Sequence, residues 1–578
     1  MCGIWLFLLK NSTNTNTNTN TNDIKNHVNY KDMFDNFMKT SNRGPDRSTL
    51  EVLNKPNNVI VGFHRLSIMD PSTKGDQPFK LETGEKTIWA ICNGEIYNYK
   101  YLIEKYNLTH TLTSGSDCEI LPHLYNKIGI DNMCKELEGE YAFIILDIDM
   151  KTGKGDLFAC RDRFGMKPLF YSENETYFNF SSELKSIIDK DNVTVFPPRT
   201  YMHLSNTKSN LWYFNSFKKY YDLDKHRNHD KFLTLDNTGL VSIKDKVRTT
   251  FIRSVEDKML SDRPLGCLLS GGLDSSLVAS IASRYLKFYG KKLRTFSIGM
   301  DGSTDEYYAK LVSKHINSDH THIQFDENDF INALRDVIYT IESYDITSVR
   351  ASTGQYLISK WISQNTDIKV LLIGDGSDEL TAGYMYFHNA PTSLDLHIEN
   401  VRLLEDIHYY DVLRADRGIA ENGIEARVPF LDHHFVDLYL SIDPYLRQPS
   451  SYKDYDKLPL EKWLLRESFN FDDYLPDDVL FRKKEAFSDG VSSIKKSWYR
   501  IIQEYANNLY SDVYFTEEQN RINHNKPPSK EALYFRKIWE EYFGTNENTC
   551  KVIPYFWLPK WCGNIQEPSA RVLQVYNE

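Results

Sequence analysis

The spacing of apolar residues divides the chain into two parts of different character. In the first part, short apolar runs alternate with turn residues. The clearest of these runs are residues 4–9, 59–68, 87–96, 141–149 and 155–162. Runs of this length predict β-strands, and the last two flank a turn-like segment as the strands of a hairpin do. The pattern therefore predicts a β-rich α+β domain over residues 1–205.

The pattern changes after residue 205. Residues 206–245 are mostly polar and aromatic without a clear period, which predicts a linker. Val247, Phe251, Val255 and Met259 then recur every four residues, as on one face of an amphipathic helix. Strand-like runs follow, each leading into a glycine turn or a helix, and this alternation is typical of a parallel sheet with crossover helices. We therefore predict an α/β domain over residues 246–578, with a helical C-terminal part.

Composition narrows the class of protein. The 578 residues include 69 Lys and Arg against 80 Asp and Glu, a net charge of −11, which argues against nucleic acid held on a basic surface. No apolar run is long enough for a membrane span, and the run at 4–9 is too short for a signal peptide. The eight cysteines form no CxxC pair, which disfavours a disulfide framework or a structural zinc site. We expect a cytoplasmic enzyme without membrane partners, whose Asn/Thr tract at 11–22 is an exposed loop.

An anion-binding loop is predicted at SGGLDSS (270–276), where an apolar strand meets a helix. Glycines let backbone N–H groups approach an anion, and the helix N-terminus adds a partial positive charge. The lysine of a Walker A loop is absent, and a carboxylate beside phosphates indicates Mg²⁺ between them. An ordinary tight turn explains SGG alone but explains the whole heptapeptide poorly. The predicted contacts with the anion are Ser270, Gly271, Gly272, Ser275 and Ser276, and Asp274 is predicted to act there through Mg²⁺.

This heptapeptide resembles the pyrophosphate-binding loop of the PP-loop ATP pyrophosphatases. The resemblance implies that ATP is cleaved to AMP and pyrophosphate while a carboxyl or carbonyl group is activated as an adenylate. It also implies that Asp274 and Asp378, the latter in a second loop GDGSDE (374–379), bind Mg²⁺.

Cys2 is a candidate nucleophile. A small residue at position two usually permits removal of Met1, and Cys2 would then carry a thiol and a free α-amine that can act as its general base. Taken alone, Cys2 is better explained as a buried cysteine of the first strand. Four nearby motifs change this interpretation: NRGPD (42–46), RLSI (65–68), NGEIYN (93–98) and SGSD (114–117).

Together with MCGI at the N-terminus, these motifs resemble the class II glutamine amidotransferase domain, an N-terminal-nucleophile hydrolase with αββα layers. The resemblance implies that Cys2 attacks the glutamine amide, and that the Asn93 side chain and the Gly94 N–H form the oxyanion hole. It implies that Arg65 pairs with the α-carboxylate of glutamine. The implied glutamine-binding residues are Arg65, Leu66, Ser67, Ile68, Met69, Asn93, Gly94, Glu95 and Asp117, the last two recognising the α-ammonium group.

Five further segments extend the resemblance over almost the whole chain. They are YDITSVRAST (344–353), GYMYFHNAP (383–391), GIEARVPFLD (423–432), RKKEAFSDGV (482–491) and PSKEALYFR (528–536). In this order they resemble the family of glutamine-hydrolysing asparagine synthetases. The resemblance implies that aspartate and ATP form β-aspartyl-AMP, which ammonia from glutamine converts to asparagine. A homodimer through the N-terminal domains is a further expectation.

Residue roles follow from the same resemblance. Leu268, Ile298, Ile373 and Gly374 are expected to line the ATP pocket. Lys484 is expected to neutralise charge on the adenylate and its leaving group, more so than its neighbour Lys483. Arg350 is expected to bind a carboxylate of aspartate.

The second loop departs from the family pattern S-G-E-G-S-D-E. Ile373 removes a hydroxyl, and Asp375 replaces a glutamate used around the acyl-adenylate, with a reach shorter by about 1.5 Å. Displacement by about 1 Å can cost about a hundredfold in rate, so we expect a slower or altered synthetase site. Three alternatives remain: a related synthetase acting on another carboxylic acid, such as a β-lactam-forming enzyme, a glutaminase with an impaired synthetase site, and a non-catalytic binding protein.

Overall fold

The computed structural model describes residues 1–10, 29–53, 58–206, 212–227, 232–449, 460–492 and 496–573. The Asn/Thr tract at 11–22, which we predict to be an exposed loop, lies outside these residues. No helix among the described residues combines the length and the apolar character needed to cross a membrane.

Seventeen strands occur in the described residues. In chain order they are β1 Gly3–Leu9, β2 Arg47–Val52, β3 Val59–Arg65, β4 Phe79–Thr83, β5 Lys86–Ile96, β6 Gly139–Asp149, β7 Gly155–Arg161, β8 Phe170–Glu173, β9 Tyr177–Ser181, β10 Val193–Val195, β11 Thr200–Asn206, β12 Trp212–Lys219, β13 Leu265–Leu268, β14 Arg294–Gly299, β15 Asp319–Gln324, β16 Val370–Leu372 and β17 Glu425–Arg427. All five apolar runs of the first part contain a strand, and β6 and β7 pair as the predicted hairpin.

Twenty-one α-helices are described, most of them in the second part of the chain. They are α1 Tyr30–Met38, α2 Tyr99–Tyr106, α3 Ile120–Glu136, α4 Leu235–Thr238, α5 Leu240–Asp257, α6 Leu273–Phe288, α7 Thr304–His315, α8 Glu327–Ile341, α9 Ile346–Asn365, α10 Ser377–Thr381, α11 Ser393–Asp406, α12 Asp411–Ala420, α13 His433–Ser441, α14 Pro444–Arg447, α15 Trp463–Phe469, α16 Asp477–Leu480, α17 Phe487–Gly490, α18 Trp498–Leu509, α19 Asp512–Arg521, α20 Lys530–Phe543 and α21 Glu547–Cys550.

Two antiparallel six-stranded sheets form the first part. Their strand orders are β10-β8-β9-β1-β3-β2 and β12-β11-β7-β6-β5-β4. Because side chains alternate across a strand, each sheet has two apolar faces to bury. Ile4 and Leu6 of β1 share one core with Ile144 of β6, between the sheets. On the outer faces, α1 packs against one sheet, and α2 and α3 pack against the other.

A parallel five-stranded sheet organises the second part, as the strand–loop–helix alternation predicts. Its order is β15-β14-β13-β16-β17, and all its paired strands run parallel. β13 and β16 are neighbours, and each is followed by a glycine loop and a helix. The carboxyl ends of parallel strands meet at one edge of the sheet, so these two loops lie side by side.

The predicted linker 206–245 differs from the observed structure. Strand β12 lies inside it and pairs with β11 along the edge of an N-terminal sheet, and helix α5 already begins at Leu240. Apolar and polar residues do not alternate along β12, because seven of its eight residues are exposed. An edge strand with solvent on both faces lacks the alternation that identifies a half-buried strand.

Two candidate active sites

The first site forms where Cys2 meets the segment after β3 and the end of β5. The Cys2 backbone N–H donates to Asn93 Oδ1 at 2.9 Å, and the Cys2 thiol lies 3.7 Å from the Leu66 carbonyl oxygen. Cys2 is 9% exposed. Burial raises the pKa of the Cys2 thiol to about 11, so the thiol is protonated near neutral pH and needs a base before it attacks.

Asn93 and Gly94 lie beside Cys2 at the end of β5. Asn93 is buried, and its Nδ2 has no hydrogen-bond partner among the described residues. Gly94 has φ of +144°, and a Cβ there would lie 2.0 Å from the Glu140 carbonyl oxygen, so only glycine fits. A buried donor without a partner is unfavourable, and an oxyanion would satisfy it.

Two buried carboxylates lie near this strand end: Glu95 in β5 and Asp117 in a short 3-10 helix just before α3. Burial raises the pKa of Glu95 well above its usual range and that of Asp117 to about 6. Asp117 accepts the Ile96 N–H at 2.6 Å, whereas Glu95 Oε2 has no hydrogen-bond partner within the described part of the chain. A cationic group entering this site would stabilise the charged form of both carboxylates.

Arg65 lies at the end of β3, but its guanidinium is engaged by the loop that follows. It donates to the Ser72 carbonyl and to Asp76 Oδ1, both at 2.6 Å, and also to the Asp70 carbonyl. The remaining predicted glutamine-binding residues form the buried segment after β3: Leu66, Ser67, Ile68 and Met69. The structure therefore brings these residues to the Cys2 edge, with Arg65 as the anchor of their loop.

Met1 precedes Cys2 and is buried. Its α-ammonium group lies 2.9 Å from Glu425 Oε2. Because the Cys2 nitrogen is in a peptide bond with Met1, a free α-amine on Cys2 requires removal of Met1. Glu425 begins β17, and Arg427 at the other end of β17 lies 3.6 Å from Glu95. This edge strand of the parallel sheet therefore connects the first site to the second part of the chain.

The second site begins at the loop between β13 and α6. Gly271 has φ of +75°, and a Cβ there would lie 2.4 Å from the Tyr308 Cβ. The Ser270 and Ser275 hydroxyls lie 3.0 Å apart and brace the loop. Gly272 is the N-cap residue of α6, and no side chain caps this helix end, which leaves its first N–H groups for an anion.

A cavity opens between this loop and the loop after β16. The predicted residues that line it are Leu268, Ser270, Gly272, Asp274, Ser275, Ile298, Ile373, Gly374, Asp375, Asp378 and Lys484. Three predicted site residues do not line it. Gly271 forms the turn behind the loop, Ser276 is fully buried, and Arg350 lies elsewhere.

Arg350 is the clearest departure from the predicted site. Its guanidinium is 4% exposed and pairs with Glu531 and Glu567 at 2.5–2.7 Å. These two carboxylates compensate its charge and tie α9 to α20 and the C-terminal segment. Arg350 does not line the cavity, and each of its guanidinium nitrogens donates to Glu531 or Glu567, so its position supports a structural role rather than contact with aspartate.

A lysine that we did not predict lies at the centre of the cavity wall. Lys462 Nζ contacts Asp274 at 2.6 Å and Asp378 at 2.5 Å, while Lys484 Nζ contacts Asp378 at 2.6 Å. Burial alone would raise the pKa of Asp378, but the two ammonium groups lower it. A Cβ on Gly383 would lie 1.9 Å from the Lys462 Cε, so this glycine makes room for the lysine. The neighbouring residues of Lys462 form no glycine loop or other motif, so the sequence gives no signal that this lysine belongs to the site.

A second unpredicted group surrounds Asp375. Gln355 Nε2 donates to both Asp375 oxygens at 3.2 and 3.3 Å, and Arg414 donates to one of them at 3.0 Å. Burial raises the pKa of Asp375, an effect that Arg414 opposes. Arg414 also pairs with Asp411, and Tyr384 donates to Glu379. Gln355 lies on α9, Asp375 lies in the second glycine loop, and Asp411 and Arg414 lie on α12, so three segments far apart in the chain meet here.

The carboxylates of Asp274 and Asp378 fit a magnesium ion that is shared with phosphates. The two carboxylates come from different loops and both contact the Lys462 ammonium group, so they lie close enough to share one cation. No cluster of three or more His, Cys, Asp or Glu that could hold a metal occurs in the ranges that the structure describes. Two carboxylates suffice for Mg²⁺, which takes its other ligands from water and substrate phosphates.

Comparison with known proteins gives matches to both parts of the chain. The family described as asparagine synthase matches residues 246–405 and 393–552, and the glutamine amidotransferase domain matches residues 1–218. The chain is 39% identical to asparagine synthetases (glutamine-hydrolyzing) of Gallus gallus and Homo sapiens, over 93% of this chain and 95% of each relative. It is also 39% identical to a probable asparagine synthetase (glutamine-hydrolyzing) of Acanthamoeba polyphaga mimivirus, over 93% of this chain and 96% of the relative.

Proposed function

We infer that this chain, which belongs to the family of glutamine-hydrolysing asparagine synthetases, makes asparagine from aspartate, ATP and the amide nitrogen of glutamine. The observation that carries this conclusion is the 39% identity, which extends over 93% of the chain and so includes both sites. A carboxylate is a poor electrophile, so ATP activates it as an adenylate, and the glutaminase supplies ammonia to the activated carbonyl.

The N-terminal part acts as an N-terminal-nucleophile hydrolase with αββα layers. After removal of Met1, the α-amine of Cys2 accepts the thiol proton and the sulfur attacks the glutamine amide carbon. Asn93 Nδ2 and the Gly94 N–H stabilise the oxyanion. The C–N bond then breaks, the α-ammonium group of Cys2 returns its proton to the leaving nitrogen, and ammonia leaves a thioester on Cys2. Water then releases glutamate from the thioester. Glu95 and Asp117 hold the α-ammonium group of glutamine, while Arg65 anchors the loop or turns to the α-carboxylate.

The second cavity adenylates aspartate. The serines and N–H groups of 270–276 hold the phosphates, and Leu268, Ile298, Ile373 and Gly374 line the nucleotide side. The β-carboxylate of aspartate attacks the α-phosphorus, and pyrophosphate leaves. Lys462 and Lys484 neutralise the charge that develops on the phosphates.

Arg414, rather than Arg350, holds the α-carboxylate of aspartate. Arg414 and Asp411 both line the cavity. The Tyr384 hydroxyl lies within hydrogen-bond distance of both Asp411 and Glu379, which places the Glu379 carboxylate next to this group. One guanidinium and two carboxylates suit a zwitterionic amino acid. Asp375 stands beside Arg414 and accepts the proton that ammonia releases when it attacks.

Magnesium belongs to the same proposal. Asp274 and Asp378 would hold Mg²⁺, which offsets phosphate charge when bound. Lys462 would then contact the phosphates instead of the two carboxylates. The cytoplasmic location and the homodimer are also proposed; the eight free cysteines support a reducing compartment.

One assay tests the function. Purified protein receives glutamine, aspartate, ATP and Mg²⁺, and asparagine, glutamate, AMP and pyrophosphate are measured. We expect all four products in equal amounts. Glutamate without asparagine or AMP would leave only a glutaminase, and AMP formed with another carboxylic acid but not with aspartate would assign a different substrate.

A further inference from the structure

Helix α9 presents one polar stripe to the second cavity. Thr347, Ala351 and Gln355 are spaced four residues apart and all line the cavity. The Thr347 hydroxyl and the Gln355 Oε1 are buried and have no hydrogen-bond partner among the described residues. Two unpaired polar atoms on one stripe point to a polar ligand on this side of the cavity.

The amide of Gln355 has a defined orientation. Its Nε2 lies 3.2 and 3.3 Å from the two oxygens of Asp375, and an ionised carboxylate only accepts hydrogen bonds. The N–H side therefore faces Asp375, which leaves Oε1 as the unpaired acceptor. Gln355 is 5% exposed, so bulk water does not satisfy this oxygen.

An acceptor pair of this kind can orient ammonia for attack. Ammonia can donate one N–H to each acceptor while its lone pair points at the adenylate carbonyl. The Gln355 Oε1 and the Asp375 carboxylate together offer acceptors for two N–H groups, and Ala351 and Ile358 add apolar surface to the wall. Water at the same place would attack the adenylate and waste it.

Resting on the proposed function, we propose that Gln355 positions both Asp375 and the attacking ammonia. The Gln355 N–H group holds the carboxylate, and Oε1 accepts one N–H of ammonia. The nitrogen lone pair forms the C–N bond to the β-carbonyl carbon. The bond from this carbon to the phosphate oxygen breaks, and its electron pair leaves with AMP. The proton that nitrogen releases passes to Asp375.

Gln355→Met tests this role because methionine has a similar side-chain length but can neither donate to Asp375 nor accept an N–H of ammonia. With ammonia replacing glutamine at fixed pH, we expect the KM for ammonia to rise at least about tenfold, the size expected for a lost hydrogen bond in a buried site. Asparagine formed per AMP should fall, because water captures part of the adenylate. Aspartate-dependent exchange of pyrophosphate into ATP should stay within about twofold of wild type, since adenylation precedes the ammonia step.

Two further variants keep the result interpretable. Gln364→Met changes an exposed glutamine of the same helix and should leave every quantity unchanged. Gln355→Asn retains the amide at shorter reach and should give intermediate values, and it decides the question if Gln355→Met fails to fold by thermal unfolding. An unchanged KM and product ratio, or an equal loss of pyrophosphate exchange, would overturn the proposal. Absence of aspartate-dependent exchange in the wild type would instead overturn the proposed function.

Discussion

Lys462→Met removes the charge at the centre of the second site and retains the side-chain length. Lys462 is 2% exposed, and its Nζ lies 2.6 Å from Asp274 and 2.5 Å from Asp378. Loss of one partner from a buried ion pair typically costs about 3–5 kcal/mol. Lys484 remains 2.6 Å from Asp378, and Ser377 still donates to Asp274 at 2.8 Å. We therefore expect a loss of about 2–3 kcal/mol in the free energy of unfolding.

The loss in free energy of unfolding that Lys462→Met causes depends on pH. The lysines lower the pKa of Asp378, so their contribution to stability is present above the unfolded carboxyl pKa of about 3.9 and declines below it. The deficit of Lys462→Met should be complete at pH 7. Aspartate-dependent pyrophosphate exchange should fall by about a hundredfold to a thousandfold, the range seen when one preorganised electrostatic group is removed.

Urea unfolding at pH 7 measures the first effect, and pyrophosphate exchange measures the second. Lys360→Met is the matched control, because Lys360 is exposed on α9 and, within the described part of the chain, its ammonium group lies over the Tyr356 ring at 5.6 Å without a carboxylate partner. Glutamine hydrolysis, at the other site, should survive in both variants. A Lys462→Met protein that unfolds within about 0.5 kcal/mol of wild type and retains exchange would refute the reasoning.

Three further predictions follow from the two sites. Cys2→Ala should abolish release of glutamate from glutamine but leave ammonia-dependent asparagine synthesis intact; loss of both activities would contradict separate sites. Asp375→Glu should not raise ammonia-dependent synthesis, because Gln355 and Arg414 already hold the shorter carboxylate, and a faster variant would show that its length is a handicap. Burial raises the pKa of Asp117 to about 6, so the cost of ionising it in the folded state grows as the pH rises from about 4 to 6. Asp117→Asn should therefore raise thermal stability relative to wild type at pH 7 more than at pH 4 while it weakens glutamine binding; equal shifts at both pH values would contradict the raised pKa.

Much of the fold is visible in the chain itself. Buried side chains repeat with a short period along a strand or a helix, and this repeat can be read from neighbouring residues. The β6–β7 hairpin, helix α5 and the parallel strands β13, β14 and β16 therefore agree with the apolar pattern. Strand β12 does not, because an exposed edge strand has no alternation to detect. The predicted helical C-terminal part agrees with the described helices α11 to α20, whereas the order of strands in each sheet depends on contacts far apart in the chain.

The sequence by itself determined the chemistry that is confined to short loops. Glycines that permit a backbone conformation must lie in the same turn as the groups they position, so Gly94 and the loop 270–276 could be predicted with their neighbours. The tertiary structure alone decided which distant side chains meet them. Lys462 joins the loops of Asp274 and Asp378, Gln355 and Arg414 meet at Asp375, and Arg350 turns away to Glu531. A charge acts through space over a few ångströms, irrespective of the number of residues that separate it from its partner along the chain.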